Sequence, residues 1–130
     1  MKSVLERLRA GEILICDGAM GTFLQAKGLE PGDCPELWCL EKPDEVKDIH
    51  RQYRDAGSDL VETNSFGGTT FKLQHYGLED RCAEINRAAA AIAREVAGDD
   101  QHVLSSMGPT GQFMEPYGTE TEESFYAAFK

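Results

Sequence analysis

Three times in this chain a short apolar run passes into polar residues and then into glycine. Ile13-Leu14-Ile15-Cys16 leads into Asp17-Gly18-Ala19-Met20-Gly21-Thr22. Asp59-Leu60-Val61 leads into Glu62-Thr63-Asn64-Ser65 and then Gly67-Gly68. His102-Val103-Leu104 leads into Ser105-Ser106 and then Gly108-Pro109-Thr110-Gly111. A strand buried on both faces of a parallel sheet reads as a continuous apolar run rather than an alternation. Polar and glycine residues just past such strands build small-molecule sites at the carboxyl edge of α/β sheets. Three runs of this form predict three parallel strands whose ends converge on one rim.

The segments between the runs have helical spacing. Pro43 and Asp44 open a helix in which Val46, Ile49, Tyr53 and Ala56 share a face, and Gly57 stops it. A longer helix is predicted from Glu79 to Ala97, burying Cys82, Ile85, Ala89, Ile92 and Val96, with Gly98 closing it. Shorter helices are expected at Val4–Leu8 before Gly11, at Thr22–Lys27 and near Thr69–His75. Gly28 to Asp33 reads as loop. Thr119-Glu120-Thr121-Glu122 has the form of a capping box before a last helix that carries Phe125, Tyr126 and Phe129. The order is βα, βα, β and the start of α. A closed barrel of this kind needs eight strands, so the chain reads as α/β, about three βα units of a larger domain.

At the first strand end, Asp17 can accept a charge-assisted hydrogen bond from a substrate ammonium. Gly18 and Gly21 admit close backbone approach, and the N–H groups of Gly18, Ala19 and their neighbours can receive a carboxylate. An α-amino acid presents both groups. An Asp-Gly tight turn with a capping carboxylate is the alternative reading of the same residues. At the second strand end, Thr63 can hydrogen-bond a carboxylate, while Asn64 and Ser65 orient the loop or satisfy turn backbone. Gly108, Pro109 and Thr110 shape the rim.

The motifs DGAMGT, KPDEVKDIHRQYRDAGSD, VETNSFGGT, GLEDRCAEINRAAAAIAREVA and GPTG occur here in order. In that order and spacing the chain resembles the homocysteine-binding domain of the homocysteine S-methyltransferase family, from about Ile13 to Lys130. ETNSF and GPTG resemble its cobalamin-dependent, methionine-forming branch. The resemblance implies a (β/α)8 TIM barrel, of which residues 1–130 would be the N-terminal part, ending before the strands that carry zinc ligands. It implies methyl transfer to the homocysteine thiol to form methionine, with the donor set by branch: a methylated corrinoid and methyltetrahydrofolate system on a separate domain or protein here, or, as the alternative, betaine or S-methylmethionine as in other branches. It places substrate contacts at Asp17, Gly18, Ala19, Met20, Gly21, Thr22, Thr63 and Asn64, and assigns no catalytic residue within the chain.

In the family, zinc is held by a Cys and a later Cys-Cys pair, and no segment here matches either. Cys34 and Cys39, with His50 further on, have a loose spacing for zinc, and Cys16 and Cys82 sit in apolar patterns. No metal ligand is assigned. The spacing of the four cysteines is no disulfide framework and suits a reducing compartment. The net charge of −10 argues against a nucleic-acid or anionic-membrane partner. No apolar run approaches the roughly 20 residues of a membrane span, and the first residues lack a signal-peptide core. A cytoplasmic location is expected. A non-catalytic fragment that only folds or associates with other chains, including copies of itself, is the alternative from a different class, since open strand edges invite pairing.

Overall fold

The computed structural model describes residues Met1–Lys130. Helix α1 (Val4–Arg9) starts at a capping box in which Ser3 and Glu6 satisfy each other's backbone N–H. Helix α2 (Gly21–Ala26) follows the DGAMGT loop. A 3-10 turn at Pro35–Leu37 runs into the short helix α3 (Trp38–Glu41). Helix α4 (Pro43–Asp55) has Pro43 in its first turn and Asp44 and Glu45 beside it, where the helix dipole favours acids. Strand β1 (Leu60–Glu62) leads to helix α5 (Thr70–Leu73), and two 3-10 turns connect that to helix α6 (Cys82–Ala97). Strand β2 (His102–Leu104) and helix α7 (Glu122–Phe129) complete the order.

β1 and β2 pair in parallel, Leu60 opposite His102 and Glu62 opposite Leu104. The first predicted strand needs correction. Ile13–Cys16 forms a single parallel bridge, Cys16 to Leu60, rather than a strand. It is held at the sheet edge by the Ile15 carbonyl, which accepts from the N–H of Asp59 and of Leu60 at 2.7 and 3.2 Å. Asp59 also accepts the Ile15 N–H and pairs with Arg7. No layer of this chain covers Ile13 and Ile15, which are 91% and 59% exposed. An apolar run with one neighbour and no cover makes only the beginning of a ladder, so the sheet has two strands and the three βα units are not all formed.

The helices cover one face of the sheet. Leu24, Leu29, Trp38, Cys39, Val46, Ile49, Ala89 and Ile92 pack together between α2, α3, α4 and α6. Val61 of β1 packs against Ala93 and Ala97 of α6, with Val103 of β2 alongside. The small residues of α6 let its backbone lie close to the strands. Of the apolar stripe predicted for this helix, Ile85, Ala89, Ile92 and Val96 are buried, whereas Cys82 is half-buried in the first turn. The last helix begins two residues later than expected: Thr121 is its cap, its hydroxyl accepting from the Ser124 N–H while Ser124 answers to the Thr121 N–H.

Candidate functional site

The DGAMGT loop, the end of β1 and the residues after β2 meet at one rim, where they enclose a cavity of about 330 Å³. Gly18, Ala19, Met20 and Gly21 form one wall, with Leu24 behind them. Pro35 and Glu36 form a second wall. Glu62, Thr63, Asn64, Ser65 and Phe66 form the third, and Ser106 closes the side toward β2.

The first wall leaves its backbone donors free. No protein acceptor pairs with the N–H groups of Gly18, Ala19 or Met20. Gly18 is required by a close approach, since a Cβ there would lie 2.9 Å from the Tyr53 Oη, which donates to the Ala19 carbonyl at 2.9 Å. Tyr53 of α4 thus fixes the loop from outside the cavity.

Asp17 lies beneath this wall rather than on it. Its side chain is 1% exposed. Both carboxylate oxygens share the Glu62 N–H, at 2.9 and 3.0 Å. Burial raises its pKa, opposed by the bond from the Glu62 N–H. Its Oδ2 is 3.9 Å from Nδ1 of His50, too long for a hydrogen bond. The His50 ring is fully buried on α4 and neither nitrogen has a partner. Burial pushes its pKa down to about 4, so the ring is neutral near pH 7.

Thr63 belongs to a circuit of hydroxyls. Ser65 Oγ donates to the Ser106 carbonyl at 2.8 Å, which uses its only proton. The 2.6 Å contact between the Thr63 and Ser65 hydroxyls therefore takes its proton from Thr63. Thr63 Oγ1 in turn accepts the Ser106 N–H at 3.0 Å. The circuit ties the end of β1 to the end of β2, and Thr63 can donate to a ligand only by releasing Ser65. Asn64 Nδ2 donates to the Pro35 carbonyl at 2.9 Å and so anchors the second wall. In that wall Glu36 is 6% exposed. Its Oε1 accepts the Gly67 N–H at 2.7 Å, and its Oε2 is 3.4 Å from the Cys34 thiol.

Six of the eight residues singled out in the sequence line the cavity: Gly18, Ala19, Met20, Gly21, Thr63 and Asn64. Asp17 supports it from below. Thr22 lies in the first turn of α2, off the lining. Pro35, Glu36, Phe66 and Ser106 were not singled out. The one available signal for Glu36 is an acid set within the otherwise apolar Cys34–Leu40. Beyond β2, Gly108 docks its N–H on the Phe66 carbonyl at 3.0 Å, and a Cβ there would clash with that same oxygen.

The cysteines do not form a metal centre. No group of three or more His, Cys, Asp or Glu side chains is arranged to hold an ion. Burial is the largest cause that pushes the thiols up, to about 11 for Cys16 and Cys34 and about 12 for Cys39, with Cys82 also raised.

A parallel α/β rim with an amino-acid-sized cavity on its glycine loop defines a class of small-molecule enzyme domain. The chain belongs to the homocysteine S-methyltransferase family: the family profile described as "Homocysteine S-methyltransferase" matches residues 14–130. It is 40% identical over 109 residues to a methionine synthase of Mycobacterium tuberculosis, covering 75% of this chain and 9% of that protein. Against a methionine synthase of Mycobacterium leprae the identity is 39%, over 82% of this chain and 10% of that protein. The fold is similar to crystal structures of the homocysteine methyltransferase MmuM from Escherichia coli. The oxidized form gives a TM-score of 0.67 at 26% identity, over 85% of this chain and 42% of that one. The metallated form gives 0.68 at 26% identity, over 82% and 42%. The chain thus spans about a tenth of the curated relatives and less than half of the solved ones.

Proposed function

We propose that this chain forms the amino-acid end of a homocysteine pocket, in the first part of a (β/α)8 domain that methylates homocysteine to methionine. The observation that carries the reading is the meeting of free Gly18, Ala19 and Met20 N–H groups with carboxylate-bearing walls in one cavity. The free amides suit the substrate carboxylate, and the acidic residues suit its ammonium. Gly18 to Gly21 and Asn64 contact or shape the ligand. Asp17, Thr22 and Thr63 hold the loop, the first helical turn and the strand end around it. Holding one end of the substrate aligns its sulfur for attack, and such orientation lowers the barrier by reducing the entropy to be lost.

In the reaction a new S–CH3 bond forms as the donor–CH3 bond breaks. The breaking pair leaves with the donor, and the thiol proton is lost. Zinc, when bound, supplies a deprotonated and still nucleophilic sulfur, and its ligands lie outside the donors of this chain. The buried His50 and the raised thiols are not poised to take the proton. A methylated corrinoid carried on a separate domain or protein is the proposed donor, supported by the higher identity to methionine synthases. The cytoplasm, where thiols stay reduced, is the matching location.

Titration of the protein with L-homocysteine tests the pocket. Saturable binding is expected, and its absence in folded protein removes the reading. Supplying methylcobalamin, betaine or S-methylmethionine to the full-length protein tests the donor, with methionine formed from the first alone as the expected result.

A further inference from the structure

The Ala19 carbonyl has one protein donor, and it comes from outside the loop. Tyr53 Oη donates to it at 2.9 Å, and no backbone N–H reaches it. Tyr53 is half-buried on α4, a helix fixed in the core by Val46 and Ile49. Two neighbours hold its ring. Phe23 of α2 meets it edge-on, with centroids 5.3 Å apart. The bare backbone of Gly18 also lies against it, where a Cβ would come within 2.9 Å of Oη. One turn earlier on the same face of α4, His50 lies 3.9 Å from Asp17. The helix therefore backs the loop at its start and at its middle.

The direction of the Tyr53 bond matters because a peptide is planar. Every peptide of the loop is trans, so the Ala19 C=O and the Met20 N–H point in opposite directions. Tyr53 is absent from the cavity lining, whereas Ala19 and Met20 are on it. A carbonyl turned out toward α4 turns the Met20 N–H away from α4, toward the cavity. That N–H has no acceptor of its own to hold it. Without the hydroxyl, the carbonyl would be free to tilt toward water, and the N–H would swing with it.

We propose that Tyr53 is a positioning residue for the methyl-transfer reaction: through the Ala19 carbonyl it aims the Met20 N–H at the ligand carboxylate, without touching the ligand. The inference rests on the homocysteine reading above. A rigid helix suits this role, because the strength of a hydrogen bond depends on the aim of its donor.

The test uses the full-length protein and two ligands, L-homocysteine and 3-aminopropane-1-thiol, which keeps the thiol and the amine and lacks the carboxylate. Tyr53→Phe removes the hydroxyl and keeps the ring that packs on Gly18 and Phe23. A neutral hydrogen bond corresponds to about two-fold to ten-fold in affinity. Homocysteine should bind the variant about five-fold more weakly, while 3-aminopropane-1-thiol stays within about two-fold. Equal weakening of both ligands would make Tyr53 a support of the fold alone and overturn the proposal. Unchanged binding of both would also overturn it, and either result leaves the homocysteine reading standing. Wild-type protein that binds neither ligand removes that reading and the role of Tyr53 together. Fluorescence of the buried Trp38 in urea titration checks the fold of the variant. A Tyr53→Phe protein that does not fold overturns the proposal too, because a hydroxyl that only directs one peptide is dispensable to folding.

Discussion

His50 makes the fold acid-sensitive in a way that can be isolated. Its ring is fully buried, and its folded pKa is lowered from 6.5 to about 4 by burial. Between those values the unfolded chain binds the proton and the folded chain does not. Stability contributed at neutral pH is therefore lost as pH falls from about 6.5 toward about 4. With those two values the loss at pH 5, relative to pH 7, is about 2 kcal/mol. Asp17 works in the opposite direction: its raised pKa means that the folded state takes up its proton first, so falling pH favours the fold at that group. A comparison with His50→Leu separates the two. The single tryptophan, Trp38, is buried and serves as the reporter in urea titrations at pH 7, 6 and 5. The wild-type stability should fall relative to the variant by about 2 kcal/mol across that range. A constant difference would refute the argument that burial governs His50. A wild-type gain on acidification would refute it differently, by showing that protonated His50 closes the 3.9 Å gap to Asp17 as an ion pair.

Thr63→Val breaks the hydroxyl circuit and leaves the half-buried Ser106 N–H without its acceptor. It should cost about 1–3 kcal/mol in urea titration, and a neutral effect would mean that the β1 and β2 ends do not depend on the circuit. Gly18→Ala drives a methyl into Tyr53 and should cost about 1–3 kcal/mol in urea titration; an unchanged stability would show that Tyr53 does not press on the loop. Exposed Ile13, Phe113 and Tyr117, together with an open strand edge, predict self-association of the 130-residue chain. Sedimentation velocity should show species larger than a monomer, and a clean monomer at high concentration would refute this.

Much of the architecture is legible because its signals are local. Pro43, Asp44 and Gly57 bracket α4, and the stripe from Ile85 to Val96 announces α6. The glycine loop and the Thr63-Asn64 pair can be located because each follows an apolar run. What escaped detection depends on partners distant in sequence. Ile13–Cys16 has the composition of a buried strand, yet burial needs cover on both faces, which composition cannot supply. Glu36 joins the cavity through its bond from the Gly67 N–H, and its neighbour Pro35 through the bond from Asn64; both partners lie about 30 residues away, and no local pattern marks those bonds. The last cap fell at Thr121 rather than Thr119 because both threonines precede acids, and only the path of the backbone chooses between them.

The bond from Glu62 to Asp17 has a consequence for how a sheet becomes a binding surface. The parallel ladder runs Leu60 N–H to the Ile15 carbonyl, then Asp17 N–H to the Leu60 carbonyl. The next rung would take the Glu62 N–H to the backbone carbonyl of Asp17. The Asp17 side chain accepts that N–H instead. A side chain thereby imitates one step of backbone, and the main chain is released from the ladder a residue early. From that point it diverges, and the amides of Gly18, Ala19 and Met20 leave the sheet with their hydrogen-bonding capacity unspent. The aspartate acts as a terminator of pairing, converting donors that a longer strand would have consumed into donors available to a guest.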